Sequence, residues 1–410
     1  MKILVVTNSC SEKKYKSVCE MRNKTVLDPQ QKFFRLLIDG LGKIKNCEVE
    51  VLSALPVSSS TVKKYIFKYK SETTGDGIRY TYLPFFNGKF LRYISLALTS
   101  RYYTKKWCKQ NNGEEAIVIV DSLIPVIAMP SRKIAQKYNI EVVAIVTDLP
   151  TLSTNMKERK ESGFKEKCLS VYQKIADLDI RSYDYYIPLT ESINDEINIS
   201  NRPYCVVEGF ADSKDKHIIE THKNYIMYAG GIYEKYGVKA LVDAFLGLKR
   251  QDIDLYIFGE GSYVEKLKKV SINNPKIKYM GCVSSEEVVK YEKRALLLVN
   301  PRPTDEKFAK YSFPSKTMEY LLSGTAVVST KLPGIPEEYF EHMYVFDGYT
   351  ADKIREKLDE ILSQPNDMIN AMGISGHEFV IKEKNNRIMA QKVYDFLMSE
   401  KNGTEKTGVK

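Results

Sequence analysis

Asn300-Pro-Arg-Pro-Thr-Asp-Glu-Lys-Phe-Ala-Lys-Tyr311-Ser-Phe-Pro-Ser-Lys316-Thr-Met-Glu319-Tyr-Leu-Leu-Ser-Gly324-Thr-Ala-Val-Val-Ser329 reads as a strand end, a proline-rich approach, a short helix and the next strand. Ser312 stands where a helix cap belongs, and Pro314 falls in the first turn, where a missing N–H costs nothing. Gly324 closes the predicted helix over 313–323 and leads into a strand at 326–329. Lys316 and Glu319 are three apart, so they share a face near the helix's amino-terminal end. A cation there binds anions at the positive end of the helix dipole, and a carboxylate one turn on can accept hydrogen bonds from ribose hydroxyls. A surface Lys–Glu pair, worth a few tenths of a kcal/mol, would look the same. The place after a strand, the prolines and the sharp termini favour a binding site.

Upstream, the same device follows three successive predicted strands. Tyr225–Ala229 runs into Gly230-Gly231-Ile-Tyr-Glu-Lys235-Tyr-Gly237 before a helix over 237–249. Leu255–Phe258 runs into Gly259-Glu-Gly261 before a helix over 262–272, and Ile277–Met280 into Gly281-Cys282 before one over 284–294. Glycines let the backbone approach a ligand, helix amino termini offer free N–H groups, and Lys235 adds a cation. Each turn taken singly is ordinary strand–helix punctuation. Further strands are predicted at 296–300 and 344–346.

The first half has its own series: strands at 2–7, 48–53, 78–83, 116–121, 141–147, 183–188 and 204–208, with helices near 31–45, 89–110, 124–138, 162–182 and 191–199. The runs Ala116–Val120 and Val142–Val146 are continuously apolar, which implies a parallel sheet covered on both faces. The polar stretch 211–224 reads as a linker. Two strand–helix series joined by a linker imply two Rossmann-like α/β domains facing across a cleft, over 1–212 and 213–385. An amphipathic helix at about 386–400 follows the second series, and 401–410 reads as a loose tail. Ligands of open parallel sheets sit beyond the strands' carboxyl ends, so informative residues belong just after each strand.

The 410 residues, 43% hydrophobic and 28% charged, exclude a disordered or membrane-embedded chain. Seven scattered cysteines without a C-x-x-C speak against a disulfide framework or a structural zinc, and fit a reducing cytoplasm. The amino-terminal apolar run is too short for a signal peptide, and no stretch reaches the ~20 apolar residues of a spanning helix.

The motif order Gly230-Gly231-x3-Lys235-x-Gly237, Phe258-Gly259-x-Gly261, Gly281-x-Val283, then Phe313-Pro-Ser-Lys316-x-x-Glu319-Tyr320 and Ser323-Gly324-Thr-x-Val-Val resembles the retaining GT-B glycosyltransferases of family four. The resemblance is specific from about 225 to 336, and weaker over the first half. There Thr147-Asp-Leu-Pro150, Thr190-Glu191 and Val207-Glu-Gly209 stand where such enzymes have related motifs. It implies that Glu319 binds the ribose of a nucleotide sugar and that Lys235 and Lys316 hold its diphosphate, these three forming the catalytic set. Gly230, Gly231, Tyr311 and Ser315 would line the donor, Gly259 to Gly261 with Cys282 and Val283 would frame its base, and the last helix would cross back to the first domain. Two positions depart from the pattern. Tyr311 stands where the family usually has a second Glu, eight residues before Glu319, with Glu306 the candidate replacement; Asn8-Ser-Cys-Ser-Glu-Lys replaces a glycine-rich first loop.

Such transfer needs a stabilised diphosphate leaving group, here expected from fixed cations and not a metal; no other cofactor is expected. The triplets Asp177-Leu-Asp179 and Asp252-Ile-Asp254 read as solvated carboxylates, not metal ligands. No histidine occurs in the first half to serve as an acceptor-side base. Residues 61–110 hold eleven cations against Glu72 and Asp76, beside twelve aromatics that include the only tryptophan, Trp107. That composition suits an anionic membrane surface, and with it a lipid-linked acceptor. It equally describes core aromatics under a solvated basic face, and no nucleic-acid module accompanies it. Arg22 and Gln30, in the polar stretch after the first strand, and Asp148, after the 141–147 strand, are expected on the acceptor side. The chain is thus expected to be a cytoplasmic, peripheral enzyme moving a sugar, from UDP, to a glycan or lipid-linked acceptor in surface-polysaccharide synthesis. The competing expectation is a catalytically weak partner subunit that keeps the fold.

Overall fold

The computed structural model describes residues 1–22, 29–88, 90–149, 174–215, 223–306 and 308–407. The expectations placed on Pro150, on most of the 162–182 helix and on half of the 211–224 linker lie outside them.

The chain forms two compact units, Met1–Glu208 with Asn386–Lys410, and Gly209–Asn385. In the first, β1 (Lys2–Thr7), β2 (Glu48–Ser53), β3 (Ile66–Phe67), β4 (Lys70–Thr73), β5 (Arg79–Tyr82), β6 (Phe85–Phe86), β7 (Ala116–Asp121), β8 (Glu141–Val146) and β9 (Tyr185–Pro188) occur in chain order. Seven of them make one sheet, β4-β5-β2-β1-β7-β8-β9. Its pairs are parallel except at the edge, where β4 runs antiparallel to β5. That corrects the all-parallel expectation: Thr74–Gly77 is a tight turn, Gly77 N donating to Thr74 O, and a hairpin can only pair antiparallel. Every residue of β7 is buried, as a strand covered on both faces requires. The expected strand over 204–208 reduces to a single bridge between Tyr204 and Tyr186.

The second unit holds β10 (Tyr225–Ala229), β11 (Asp254–Phe258), β12 (Ile277–Gly281), β13 (Leu297–Asn300), β14 (Val327–Thr330) and β15 (Tyr344–Phe346), ordered β12-β11-β10-β13-β14-β15 and parallel throughout. Its core gathers Ile226, Leu241, Leu255, Ile257, Leu297, Val328 and Leu358 at or below 1% exposure.

The Asn386–Thr407 helix returns to the first unit and packs on the Pro29–Leu41 helix. Asn386 Nδ2 donates to Leu36 O at 3.2 Å, and a Cβ on Gly40 would lie 2.2 Å from Asn386 O, so only glycine allows this approach. Lys392 Nζ donates to Val206 O at 3.0 Å, and the Phe396 and Tyr185 rings meet edge-on at 6.1 Å. Among the described residues no helix is long and apolar enough to cross a membrane.

Candidate functional site

The carboxyl ends of β10, β11 and β12 are zipped together by their own loops. Ile232 N donates to Glu260 O at 2.9 Å, Tyr263 N to Ile232 O at 3.0 Å, and Gly259 N to Gly281 O at 2.9 Å. Gly259 has φ +127°, and a Cβ there would lie 1.9 Å from Gly230 O. This glycine is therefore required by loop-on-loop packing before any ligand is considered. Gly230 and Gly231 open onto a 3₁₀ turn, Glu234–Tyr236; the following helix is Val238–Leu246, starting after Gly237 at φ +80°. Lys235 sits in that turn, its ammonium 5.5 Å from the Tyr233 ring centre and 5.7 Å from that of Tyr236.

The face of Tyr236 also carries Arg302, whose guanidinium lies 4.7 Å from the ring centre. Arg302 comes after β13 and Pro301, donates to Ser312 Oγ at 3.4 Å, and is set by Thr330 Oγ1 donating to its carbonyl at 2.5 Å. Burial pulls its guanidinium below the ordinary arginine value, the Tyr228 and Tyr236 hydroxyls opposing the shift. Arg302 is not among the residues expected from sequence; its signal there is an arginine between two prolines at a strand's carboxyl end. Ser312, whose Oγ accepts from Arg302, lies upstream of the helix's N-cap position and does not cap it. The helix is Ser315–Ser323 with Pro314 as its N-cap, and Gly324 closes it at φ +77°.

On that helix Lys316 Nζ lies 2.6 Å from Glu319 Oε2 and 3.2 Å from Oε1 of Glu292, a carboxylate with a fully buried side chain at the end of the Ser285–Glu292 helix. Burial by itself would lower the Lys316 value, yet Glu292 and Glu319 together hold it well above the ordinary lysine range. Lys316 is thus spent partly on its own carboxylates and aims Glu319. Tyr320, one residue on, accepts from Ala229 N at 2.8 Å, which ties this helix to the end of β10. Tyr228, buried beneath, has its hydroxyl value raised by burial, while Arg302 and Lys316 both pull the other way. Lys235 and Arg302 therefore share Tyr236 beyond the ends of β10 and β13, while Lys316 lies 6.0 Å from the ring centre of Tyr320 on the helix tied to β10. Tyr311 lies on a 3₁₀ turn, Ala309–Tyr311, with the Lys310 ammonium 4.5 Å from its ring centre. Ser315 and Cys282 are exposed and Val283 is half-buried.

In the first unit, Gln30 Nε2 donates to Asp121 Oδ2 at 2.7 Å at the carboxyl end of β7, so Gln30 is held by a buried carboxylate. Gln31, its neighbour, fixes the loop after β1 by donating to the Asn8 carbonyl at 2.9 Å and accepting from Cys10 N at 3.1 Å. Asp148 accepts from Leu149 N at 2.8 Å, and burial raises its carboxyl value against that bond. Arg22 ends the Glu12–Arg22 helix with Nε buried and unbonded among the described residues. Asp179 is a correction. It is 6% exposed, pairs with Arg132 at 2.6 Å and accepts from the Tyr183 hydroxyl at 2.7 Å, because the chain folds it against Arg132 of the Pro125–Lys137 helix. Asp252 is exposed and pairs with Arg250 at 3.0 Å, and Asp254 pairs with Lys278 at 2.6 Å. Among the described residues no three His, Cys, Asp or Glu side chains gather as a metal-ligand set.

Residues 210–379 match the family of glycosyl transferases group 1. Nearly the whole chain superposes on sucrose-phosphate synthase from Thermosynechococcus elongatus (TM-score 0.66, 12% identity, 98% of this chain and 100% of that one). It superposes likewise on the lipopolysaccharide outer core galactosyltransferase WaaB (0.58, 17%, 98% and 100%) and on Anabaena HepE in complex with UDP and glucose (0.59, 11%, 97% and 100%). The fold is GT-B. No curated protein matches the chain in sequence.

Proposed function

We propose that this protein is a retaining, metal-independent glycosyltransferase of family four that moves a hexosyl group from a UDP-sugar to a glycan on a lipid carrier, as surface-polysaccharide assembly requires, working as a peripheral enzyme on the cytoplasmic face of a membrane. The observation that carries the reading is that Lys235 and Arg302 share the Tyr236 ring beyond β10 and β13, while the helix bearing Lys316 and Glu319 is tied to the end of β10 through Tyr320. In this reading Lys235 and Arg302 neutralise the diphosphate as the bond to the sugar's anomeric carbon breaks and the acceptor oxygen takes its place. Lys316, held by Glu292, keeps Glu319 aimed at the ribose hydroxyls. HepE is described with UDP and glucose, and WaaB as a galactosyltransferase, which supports a nucleotide-sugar donor of that class.

Tyr311 favours a second reading, since a chain lacking the usual donor-sugar carboxylate could bind nucleotide and transfer poorly. Incubation with a panel of UDP-sugars in the presence of a chelator separates the two. The transferase releases UDP from one donor, gives a product of unchanged anomeric configuration, and loses about ten- to a hundredfold in kcat/KM in Lys235→Ala and Arg302→Ala, the worth of one charge-assisted contact. UDP binding without turnover of any donor selects the partner subunit.

A further inference from the structure

The basic segment forms a surface that its composition alone did not reveal. β3 and β6 pair antiparallel, Phe67 opposite Phe85 and Ile66 opposite Phe86. Phe67 and Phe85 stack at 4.8 Å on the buried side, while Ile66 and Phe86 stand 52% and 51% exposed on the other. Phe86 N donates to Ser95 Oγ at 3.1 Å, which joins this ribbon to the Leu91–Gln110 helix. That helix buries Leu96, Ser100, Thr104, Trp107 and Cys108. Its opposite face should be polar, yet it presents Leu91, Ile94, Leu98 and Tyr102, each 57–63% exposed and spaced three or four apart in a single stripe. Beyond the stripe come Arg101, Lys105, Lys106 and Lys109, all exposed. Trp107 is no part of this face; it is buried and donates to Glu50 Oε1 at 3.1 Å.

Ile66 also borders a cavity of about 410 Å³ near the carboxyl ends of β1 and β2, with Met21, Leu55 and Phe67 as apolar walls and Lys14, Lys64, Lys68 and Lys70 around them. None of these four lysines makes an ion pair among the described residues. The carboxylate facing Lys70 and Lys14, Glu72, is already taken by the Tyr82 hydroxyl at 2.6 Å and by Ser11. Four cations over an apolar floor, continuous with an apolar stripe rimmed by more cations, match one chemistry: an anion that is covalently part of an apolar assembly.

We propose that the β3–β6 ribbon and the outer stripe of the Leu91–Gln110 helix dock on an anionic phospholipid bilayer, and that the four-lysine cavity takes a phosphate head group from it. Apolar side chains enter the interfacial layer while the lysines and arginines meet lipid phosphates. An acidic protein could satisfy the cations, but nothing in its chemistry calls for a continuous apolar stripe beside a cationic cavity roomy enough for a phosphate head group. That such a lipid also carries the glycan acceptor rests on the transferase reading; the docking does not.

Co-sedimentation of the full chain with vesicles of phosphatidylcholine, alone or mixed with phosphatidylglycerol, tests this. The protein should pellet with the mixed vesicles at low salt, return to solution at high salt, and ignore phosphatidylcholine alone. Ile94→Asp with Leu98→Asp, both exposed positions, should weaken binding at least about tenfold with an unchanged circular dichroism spectrum. Lys64→Ala with Lys68→Ala should remove the preference for phosphatidylglycerol. Failure to pellet at low salt overturns the proposal, as does binding indifferent to both variant pairs, or an Ile94/Leu98-dependent dimer in place of vesicle binding. UDP-induced thermal stabilisation, measured on the same samples, keeps the two readings apart: its loss with vesicle binding intact defeats the transferase and leaves the docking surface.

Discussion

At the scale of single residues, the site turns on which charges are already committed. Glu292 is fully buried and Lys316 is its cation at 3.2 Å. Removing one partner of a buried pair leaves an uncompensated charge, at a cost of about 3–5 kcal/mol. Urea unfolding should therefore show Lys316→Met destabilised by that amount, with Glu292→Gln in the same chain restoring most of it. Equal stability of Lys316→Met and wild type would show that Lys316 does not hold Glu292. Glu319 and Lys316 were legible in the sequence because three-residue spacing on a helix is local. Glu292 was not, since it reaches Lys316 only through the packing of two helices 24 residues apart in sequence. Arg302 was visible but unread: its meaning comes from Tyr236, which the fold brings beneath it.

At the scale of elements, the boundaries that sequence missed have local causes. The residue before a proline is kept from helical angles, so Phe313 could not begin the helix, and Ser312 was left for Arg302. The Glu12–Arg22 helix escaped notice because it is polar almost all round, burying only Tyr15 and Val18. β3, β4 and β6, at two to four residues, are too short to show a period. β4 is nonetheless held to its neighbours by Glu72, which bridges Tyr82 on β5 and Ser11 before the Glu12–Arg22 helix. Burial by itself would raise the Glu72 carboxyl, but Ser11, Tyr82, Lys70 and Lys14 together hold it below the ordinary glutamate value. A carboxylate whose folded value is depressed stabilises above its unfolded pKa and loses that contribution as pH falls through the folded one. The melting-temperature gap between wild type and Glu72→Gln should accordingly be present at neutral pH and close as the solution is acidified below the usual glutamate pKa of about 4.3. A gap that stays constant across that range would mean the bridge contributes nothing.

At the scale of the whole molecule, alternation of strand and helix was enough to specify two α/β units, because each half carries its own series of apolar runs and the returning helix is amphipathic. Sheet order was not in the sequence; it follows from non-local pairing, as with β1 lying between β2 and β7. Nor could composition divide the twelve aromatics of residues 61–110 into those that fill the core, such as Tyr80, Tyr82 and Trp107, and those that face solvent, such as Tyr65 and Phe90. What unites the second unit is the claim that the ends of β10 and β13 grip a nucleoside diphosphate. Calorimetric titration of UDP into the purified chain, with chelator present, is the direct test. Binding should be saturable, unaffected by the chelator, and weaker by about ten- to a hundredfold in Arg302→Ala and in Glu319→Ala, each a single charge-assisted contact. No heat of binding in the wild type, or equal affinity in all three proteins, would contradict the account.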